Sequence, residues 1–242
     1  GFWGGWDKKA PPETRELYIQ KKLVSRAQWL GIQVRETAEQ VLKAVRKGRF
    51  PEPQKVASWA RNRAVARIQD SQSQRYRVHP KRFPGFVEHY YGLHDCPPWE
   101  PVLREVERQV LGLFNNSVFL RLMNVPERIC EIEELEQVQI GSIPVWVSLD
   151  VLVSDGENGY VIVDWKTGTS HTSTKVNAQL GIYGVYVKSR YFGTLDTFFQ
   201  NEGVLKAMYV NTRMNTYETV VVSEDMIEEA IHTITNSTRE MR

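Results

Sequence analysis

Two runs of strand-forming residues, Val145-Trp146-Val147-Ser148-Leu149-Asp150-Val151-Leu152-Val153 and Tyr160-Val161-Ile162-Val163, flank the turn-forming segment Ser154-Asp155-Gly156-Glu157-Asn158-Gly159. β-Branched and aromatic side chains suit a pleated sheet, whereas Gly, Asn, Asp and Ser suit tight turns. This arrangement predicts a hairpin. The second run leads directly into Asp164-Trp165-Lys166-Thr167-Gly168. Strand side chains alternate faces, so Asp164 and Lys166 project to one side and Trp165 to the other. Closing the hairpin brings Asp150, fourteen residues before Asp164, towards the same strand end. Two carboxylates and a lysine at one sheet edge can hold a divalent cation and orient an attacking water, which is the equipment of metal-dependent phosphodiester cleavage. An Asp-x-Lys alone is more often a solvated ion pair worth little. Its neighbours decide the reading.

After Gly168 comes a polar linker, Thr169-Ser170-His171-Thr172-Ser173-Thr174, and then a helical pattern from Val176 to Tyr186. Gln179 and Tyr183 are spaced i,i+4 and share a helix face, which can turn towards the carboxylates to order the site or touch substrate phosphates. Asp150, then Asp164-Trp165-Lys166-Thr167-Gly168, then Gln179-Leu180-Gly181-Ile182-Tyr183 resembles the RecB-type branch of the PD-(D/E)XK nuclease superfamily. That branch carries an Asp, an Asp-x-Lys followed by Thr-Gly, and a Gln-x-x-x-Tyr on the next helix. The resemblance implies a restriction-endonuclease-like core, a central mixed β-sheet flanked by helices in a mixed α/β fold. It also implies that Asp150, Asp164 and the Trp165 main-chain carbonyl bind Mg2+ or Mn2+. Lys166 then orients or helps deprotonate the attacking water, with Gln179 and Tyr183 ordering the shell around it.

Members of the family usually carry an upstream helical motif, roughly Gly-x-x-Val-His-(acid)-x-x-Glu, whose histidine binds metal. This chain has Gly31-Ile32-Gln33-Val34-Arg35-Glu36-Thr37-Ala38-Glu39. Arg35 stands at the histidine position, and a guanidinium offers no lone pair. Glu39 or Glu36 could reach the ion instead, or Arg35 could pair with a carboxylate or the scissile phosphate.

Composition excludes several classes. With 41% hydrophobic and 25% charged residues the chain is ordinary for a globular protein. No apolar run approaches membrane-spanning length. The opening Gly1–Asp7 lacks the charged-then-apolar layout of a signal peptide, so a cytoplasmic location is expected. Cys96 and Cys130 are the two cysteines, too few for the four-cysteine iron–sulfur cluster of some RecB-type nucleases, and no such cluster is expected. The net charge of +2 conceals a split: residues 1–110 hold 21 Lys/Arg against 12 Asp/Glu, and the remainder holds 10 against 17. The basic excess, densest from Lys43 to Arg82, suits phosphate-backbone contacts. Arg35, Arg61, Arg63, Arg67, Arg75 and Arg77, with Trp59 and Tyr76 interleaved, are the expected nucleic-acid-binding residues.

Periodicity predicts helices over Glu13–Leu30 and Arg26–Arg46, ended by Gly48 and Pro51, a basic helix over Pro53–Asp70, and another over Trp99–Leu122. His89 and His94, in the Pro-rich loop between them, read as structural. Arg128–Ile140 alternates as a strand. Lys206–Asn211 and Tyr217–Val222 predict a second hairpin, and Ser223 caps a last helix. The expected organisation is a helical, basic part over 1–128, including the first core helix at about 26–47, and the nuclease core sheet and helices over 129–242, together one catalytic domain. The expected activity is hydrolysis of DNA, with RNA possible, in repair, recombination or phage defence. The rival expectation is a weak or inactive nucleic-acid-binding subunit of a helicase–nuclease or defence complex. The chain has no P-loop, so an ATP-driven step would belong to a partner.

Overall fold

The computed structural model describes residues 4–7, 9–93, 98–156, 159–168, 173–191 and 204–240. His94, Cys96 and most of the 169–174 linker lie outside the described residues. The chain forms two compact units, Gly1–Ala38 with Pro51–Phe114, and Glu39–Phe50 with Asn115–Arg242.

In the first unit, α1 (Pro12–Lys21) and α2 (Arg26–Val45) are separate helices joined through the short strand β1 (Leu23–Val24). The periodicity had merged the region from Glu13 to Leu30 into one helix. The break comes from a capping box: Ser25 Oγ accepts from the Gln28 amide at 3.3 Å, and Gln28 Oε1 accepts from the Ser25 amide at 3.1 Å. Helix α3 (Pro53–Gln72) starts on a proline, as a first helical turn allows. After it come the one-turn helix α4 (Arg75–Val78), the short strand β2 (Gly85–Phe86), and α5 (Val87–Tyr90). Then α6 (Glu100–Leu113) packs on α3. The small buried residues Ala57, Ala60 and Ala64 of α3, and Leu103, Val106 and Val110 of α6, belong to the core of this unit. Trp29 is fully buried and meets Phe86 and Trp99 edge-on at 5.1 and 5.8 Å. The Nδ1 of His89 lies 2.9 Å from Ser71 Oγ and its ring packs against Phe86 and Trp99.

The second unit begins with the end of α2 and resumes at α7 (Ser117–Asn124). The region Trp99–Leu122, expected as one helix, breaks at Asn116. Its side chain accepts from the Val118 and Phe119 amides at 3.0 and 3.1 Å, starting α7 afresh. Arg128–Ile140 likewise becomes two strands, β3 (Ile129–Ile132) and β4 (Leu135–Ile140). Glu133 sits between them in the left-handed region, at φ 51°. The run Val145–Val153 also divides, into β5 (Ile143–Ser148) and β6 (Val151–Ser154), so Asp150 stands at a corner and not within a strand. The corner arises because β5 pairs with β4 in a two-stranded sheet while β6 pairs with β3 and with β7 (Tyr160–Lys166). The Glu133 amide, shared between the Leu149 and Asp150 carbonyls at 3.0 and 3.2 Å, satisfies the backbone there.

Among the described residues the main sheet has the order β3-β6-β7-β8-β9, with β8 (Leu205–Asn211) and β9 (Thr216–Val221) forming the expected second hairpin. The pair β7·β8 is parallel and the rest are antiparallel. A parallel pair needs a crossover connection, and α8 (Ser173–Tyr191) lies in it. Helix α9 (Glu224–Glu240) starts where Ser223 Oγ accepts from the Met226 amide at 3.3 Å. One sheet face, with Leu152, Ile162, Leu205 and Ala207, is covered by Leu180, Val187 and Ile227 of α8 and α9. The other face meets α7, where Phe119 lies edge-on to Trp165 at 5.8 Å. No helix among the described residues is long and apolar enough to cross a membrane.

Helices α8 and α9 approach closely because α8 offers glycines. A Cβ on Gly181 would lie 2.1 Å from the Met226 carbonyl oxygen, and one on Gly184 would lie 2.6 Å from Ile227. Alanine is the better helix former by about 1 kcal/mol, but backbone cannot yield as a side chain tip can. Gly181→Ala is expected to lower unfolding stability by about 1–3 kcal/mol, measured by denaturant or thermal melting. A stabilised variant would contradict this packing.

Candidate active site

The site forms at the end of β7. Even-numbered residues of this strand face α8 and odd-numbered ones face α7, so Asp164 and Lys166 share the α8 side while Trp165 is buried on the opposite side. Asp150 reaches the same place from its corner: Oδ2 accepts the Trp165 amide at 2.8 Å. The two carboxylates, 9% and 7% exposed, therefore border one stretch of backbone. Lys166 pairs with Asp164, and its ammonium lies over the Tyr209 ring, 5.4 Å from the centroid.

Tyr183 completes the cluster. Its hydroxyl accepts from Gln179 Nε2 at 2.6 Å and donates to the Ser148 carbonyl at 3.3 Å, so the i,i+4 pair of α8 is tied to the end of β5. Burial pushes the Tyr183 phenol up to about 12; the Gln179 hydrogen bond opposes the shift, and the charges of Asp164, Asp150 and Glu133 add to it. It therefore stays protonated throughout the neutral range. Beyond Lys166 the chain is held by Asn211. Its Nδ2 donates to the Gly168 carbonyl at 2.8 Å, its Oδ1 accepts from the Arg213 and Met214 amides, and the Thr212 amide donates to the Lys166 carbonyl at 2.9 Å. Sequence reading passed over Asn211 and Tyr209, both of which it saw as ordinary strand residues.

The structure thus gathers Asp150, Asp164, Lys166, Gln179 and Tyr183. Glu39 is elsewhere engaged: Lys43 Nζ holds its carboxylate at 2.7 Å, one turn along α2. Glu36 takes Arg67 at 2.9 Å and Arg63 at 3.4 Å. Among the described residues no group of three His, Cys, Asp or Glu side chains assembles at metal-binding range. Arg35 lies on α2, one turn before Glu39. The other expected nucleic-acid-binding arginines meet carboxylates as well: Arg61 pairs with Glu100 and Glu107, Arg75 with Asp70, and Arg77 with Glu16. Arg63 stacks on Trp59 with its guanidinium carbon 4.4 Å from the ring centroid, and Arg75 on Phe83 at 3.8 Å. The exposed arginines Arg75 and Arg77 form pairs worth at most about 1 kcal/mol, so a phosphate can compete for them, whereas Arg61, Arg63 and Arg67 are partly buried.

A family model describing the PD-(D/E)XK nuclease superfamily matches residues 13–242. The central mixed sheet flanked by helices is the restriction-endonuclease-like architecture of that superfamily. A crystal structure of a protein from Eubacterium rectale, provisionally named an exonuclease, is 10% identical with a TM-score of 0.39, over 97% of this chain and 86% of that one. No match is found among curated proteins.

The buried Trp165 amide depends on Asp150, so substitution there separates structure from chemistry. Asp150→Ala is expected to cost about 1–3 kcal/mol by stranding that amide. Asp150→Asn keeps an acceptor oxygen and is expected to lie within about 1 kcal/mol of the parent. Denaturant melts of the two variants check this; equal losses would show that the hydrogen bond does not hold the corner.

Proposed function

We propose that this chain, which belongs to the PD-(D/E)XK nuclease superfamily, is a metal-dependent nuclease of the RecB type that hydrolyses phosphodiester bonds of DNA. The observation that carries the reading is the Trp165 amide bound to Asp150, which brings both carboxylates and Lys166 to one strand end. The donors fit Mg2+ or Mn2+. Both carboxylates offer hard oxygen atoms, and Mg2+ characteristically binds through one or two carboxylates, retained waters and substrate phosphate. A strand residue directs its N–H and C=O towards the same neighbour, so the Trp165 carbonyl would face Asp150 and add a third oxygen. Glu39 would join only by leaving Lys43.

When bound, the ion would neutralise charge on the scissile phosphate and favour deprotonation of water. The residues supply the rest. Asp150 and Asp164 would hold the ion. Lys166 would orient the attacking water with one ammonium hydrogen and offset the charge that builds on phosphate. Tyr183, protonated at neutral pH, locks the Ser148 carbonyl beside the corner. Arg35, Arg61, Arg63, Arg67, Arg75 and Arg77 would exchange carboxylate or backbone contacts for the phosphates of the bound strand.

A second reading is favoured by Arg35, which stands where a metal-binding histidine is expected: a nucleic-acid-binding subunit of a helicase–nuclease or defence complex with little or no turnover. End-labelled single- and double-stranded DNA digested with Mg2+, Mn2+ or EDTA decides between them. Cleavage is expected with either ion and not with EDTA, and Asp164→Ala and Lys166→Ala are expected to lower it by at least about a hundredfold. Undiminished cleavage in both variants would sink the nuclease reading. DNA retention without cleavage by the parent protein would favour the second.

A further inference from the structure

Strand β8 carries a polar group that the proposed chemistry leaves unused. Tyr209 pairs in register with Asp164 across β7 and β8, so both project to the face covered by α8. Its ring lies beneath the Lys166 ammonium, and Lys166 in turn pairs with Asp164. The Tyr209 hydroxyl is sealed from solvent and has no hydrogen-bond partner among the described residues.

A second such hydroxyl, that of Tyr76, lies in the first unit, but the tyrosines around the site are bonded. Tyr183 is engaged by Gln179 and Ser148, and Tyr186 and Tyr191 both donate to Glu131, at 2.7 and 2.5 Å. Tyr209 alone of these four keeps a hydroxyl with no partner among the described residues. Burying such a group without a bond destabilises a fold, and phenylalanine would fill the same space without that penalty. A tyrosine filling space for packing alone would gain nothing from its oxygen. A phenol at neutral pH is a donor, here beside the ammonium and carboxylate where phosphate charge would be handled.

We propose that Tyr209 is a substrate-binding residue of this site: its ring seats Lys166, and its hydroxyl, covered in this conformation, donates a hydrogen bond to a non-bridging oxygen of the phosphodiester once the side chains over it give way to the substrate. The inference rests on the nuclease reading and adds a residue beyond Asp150, Asp164, Lys166, Gln179 and Tyr183.

Tyr209→Phe keeps the ring and removes the hydroxyl, so it isolates the hydrogen bond. Three readouts are needed: thermal midpoint, kcat/KM on end-labelled DNA with Mn2+, and binding of a fluorescein-labelled DNA duplex in EDTA. The expected result is an unchanged or raised midpoint with kcat/KM about tenfold lower and weaker binding in EDTA. Tyr209→Leu, which also removes the seat of Lys166, is expected to lose more activity. Tyr209→Phe matching the parent in both cleavage and binding would overturn the inference, as would a loss accompanied by a fall in the midpoint. A parent protein that does not cleave would remove the nuclease reading instead. Binding in EDTA then decides Tyr209 by itself: weaker binding by the Phe variant supports the contact, and equal binding dismisses it.

Discussion

The 2.8 Å hydrogen bond from the Trp165 amide to the Asp150 carboxylate fastens the corner to the end of β7, one step beyond the last β6·β7 pair, Val151 with Val163. The chain leaves the β4·β5 ribbon at Ser148, turns at Leu149 and Asp150, and enters the main sheet at Val151. A corner leaves backbone groups without ladder partners, and here they are met by the Glu133 amide on one side and the Tyr183 hydroxyl on the other. Asp150 does the same for the end of β7. One carboxylate therefore closes a backbone defect beside Asp164, where the β6·β7 register has already placed it. Structural and chemical demands fall on the same side chain.

The rest of the unit holds that geometry in place. Gly181 and Gly184 let α9 close on α8, which presses Leu180 and Val187 onto the sheet and aims Gln179 and Tyr183 at the corner. Trp165 anchors the opposite side against Phe119. Asn211 fixes the backbone after Lys166, so the lysine is mounted on a strand end tied down on both sides. Pre-organisation of this kind is what a site needs if its charges are to act without reorganising at the moment of reaction.

The hairpin, the shared face of Asp164 and Lys166, and the Gln179–Tyr183 pair were legible because each follows from local periodicity and turn chemistry. The breaks were harder. Asn116 and Glu133 interrupt runs whose hydrophobic spacing continues across them, and a single capping side chain or one left-handed residue leaves little trace in periodicity. Ser25-x-x-Gln28 did carry a readable capping-box signal, overridden by the apolar spacing on either side of it. The corner at Asp150 was hidden because β-branched residues continue through it; which sheet each half joins is decided by pairing with distant β3, β4 and β7. Tyr209 was invisible for the same reason, since its place opposite Asp164 exists only through the parallel register of β7 and β8. Arg61, Arg63, Arg67 and Arg77 read as a basic stripe because their carboxylate partners Glu100 and Glu107, Glu36, and Glu16 lie far away in sequence; Asp70, the partner of Arg75, is only five residues off.

In the proposed mechanism Asp150 and Asp164, held together through the Trp165 backbone, form an oxygen-donor site for a divalent ion beside Lys166. Calorimetric titration of Mn2+ into the parent protein and into Asp150→Asn, Asp164→Asn and the double variant tests it most directly. Saturable binding of one ion by the parent is expected, weakened in each single variant and lost in the double variant, while the folds remain intact by circular dichroism. Binding that survives in the double variant, or none in the parent at millimolar Mn2+, would contradict it.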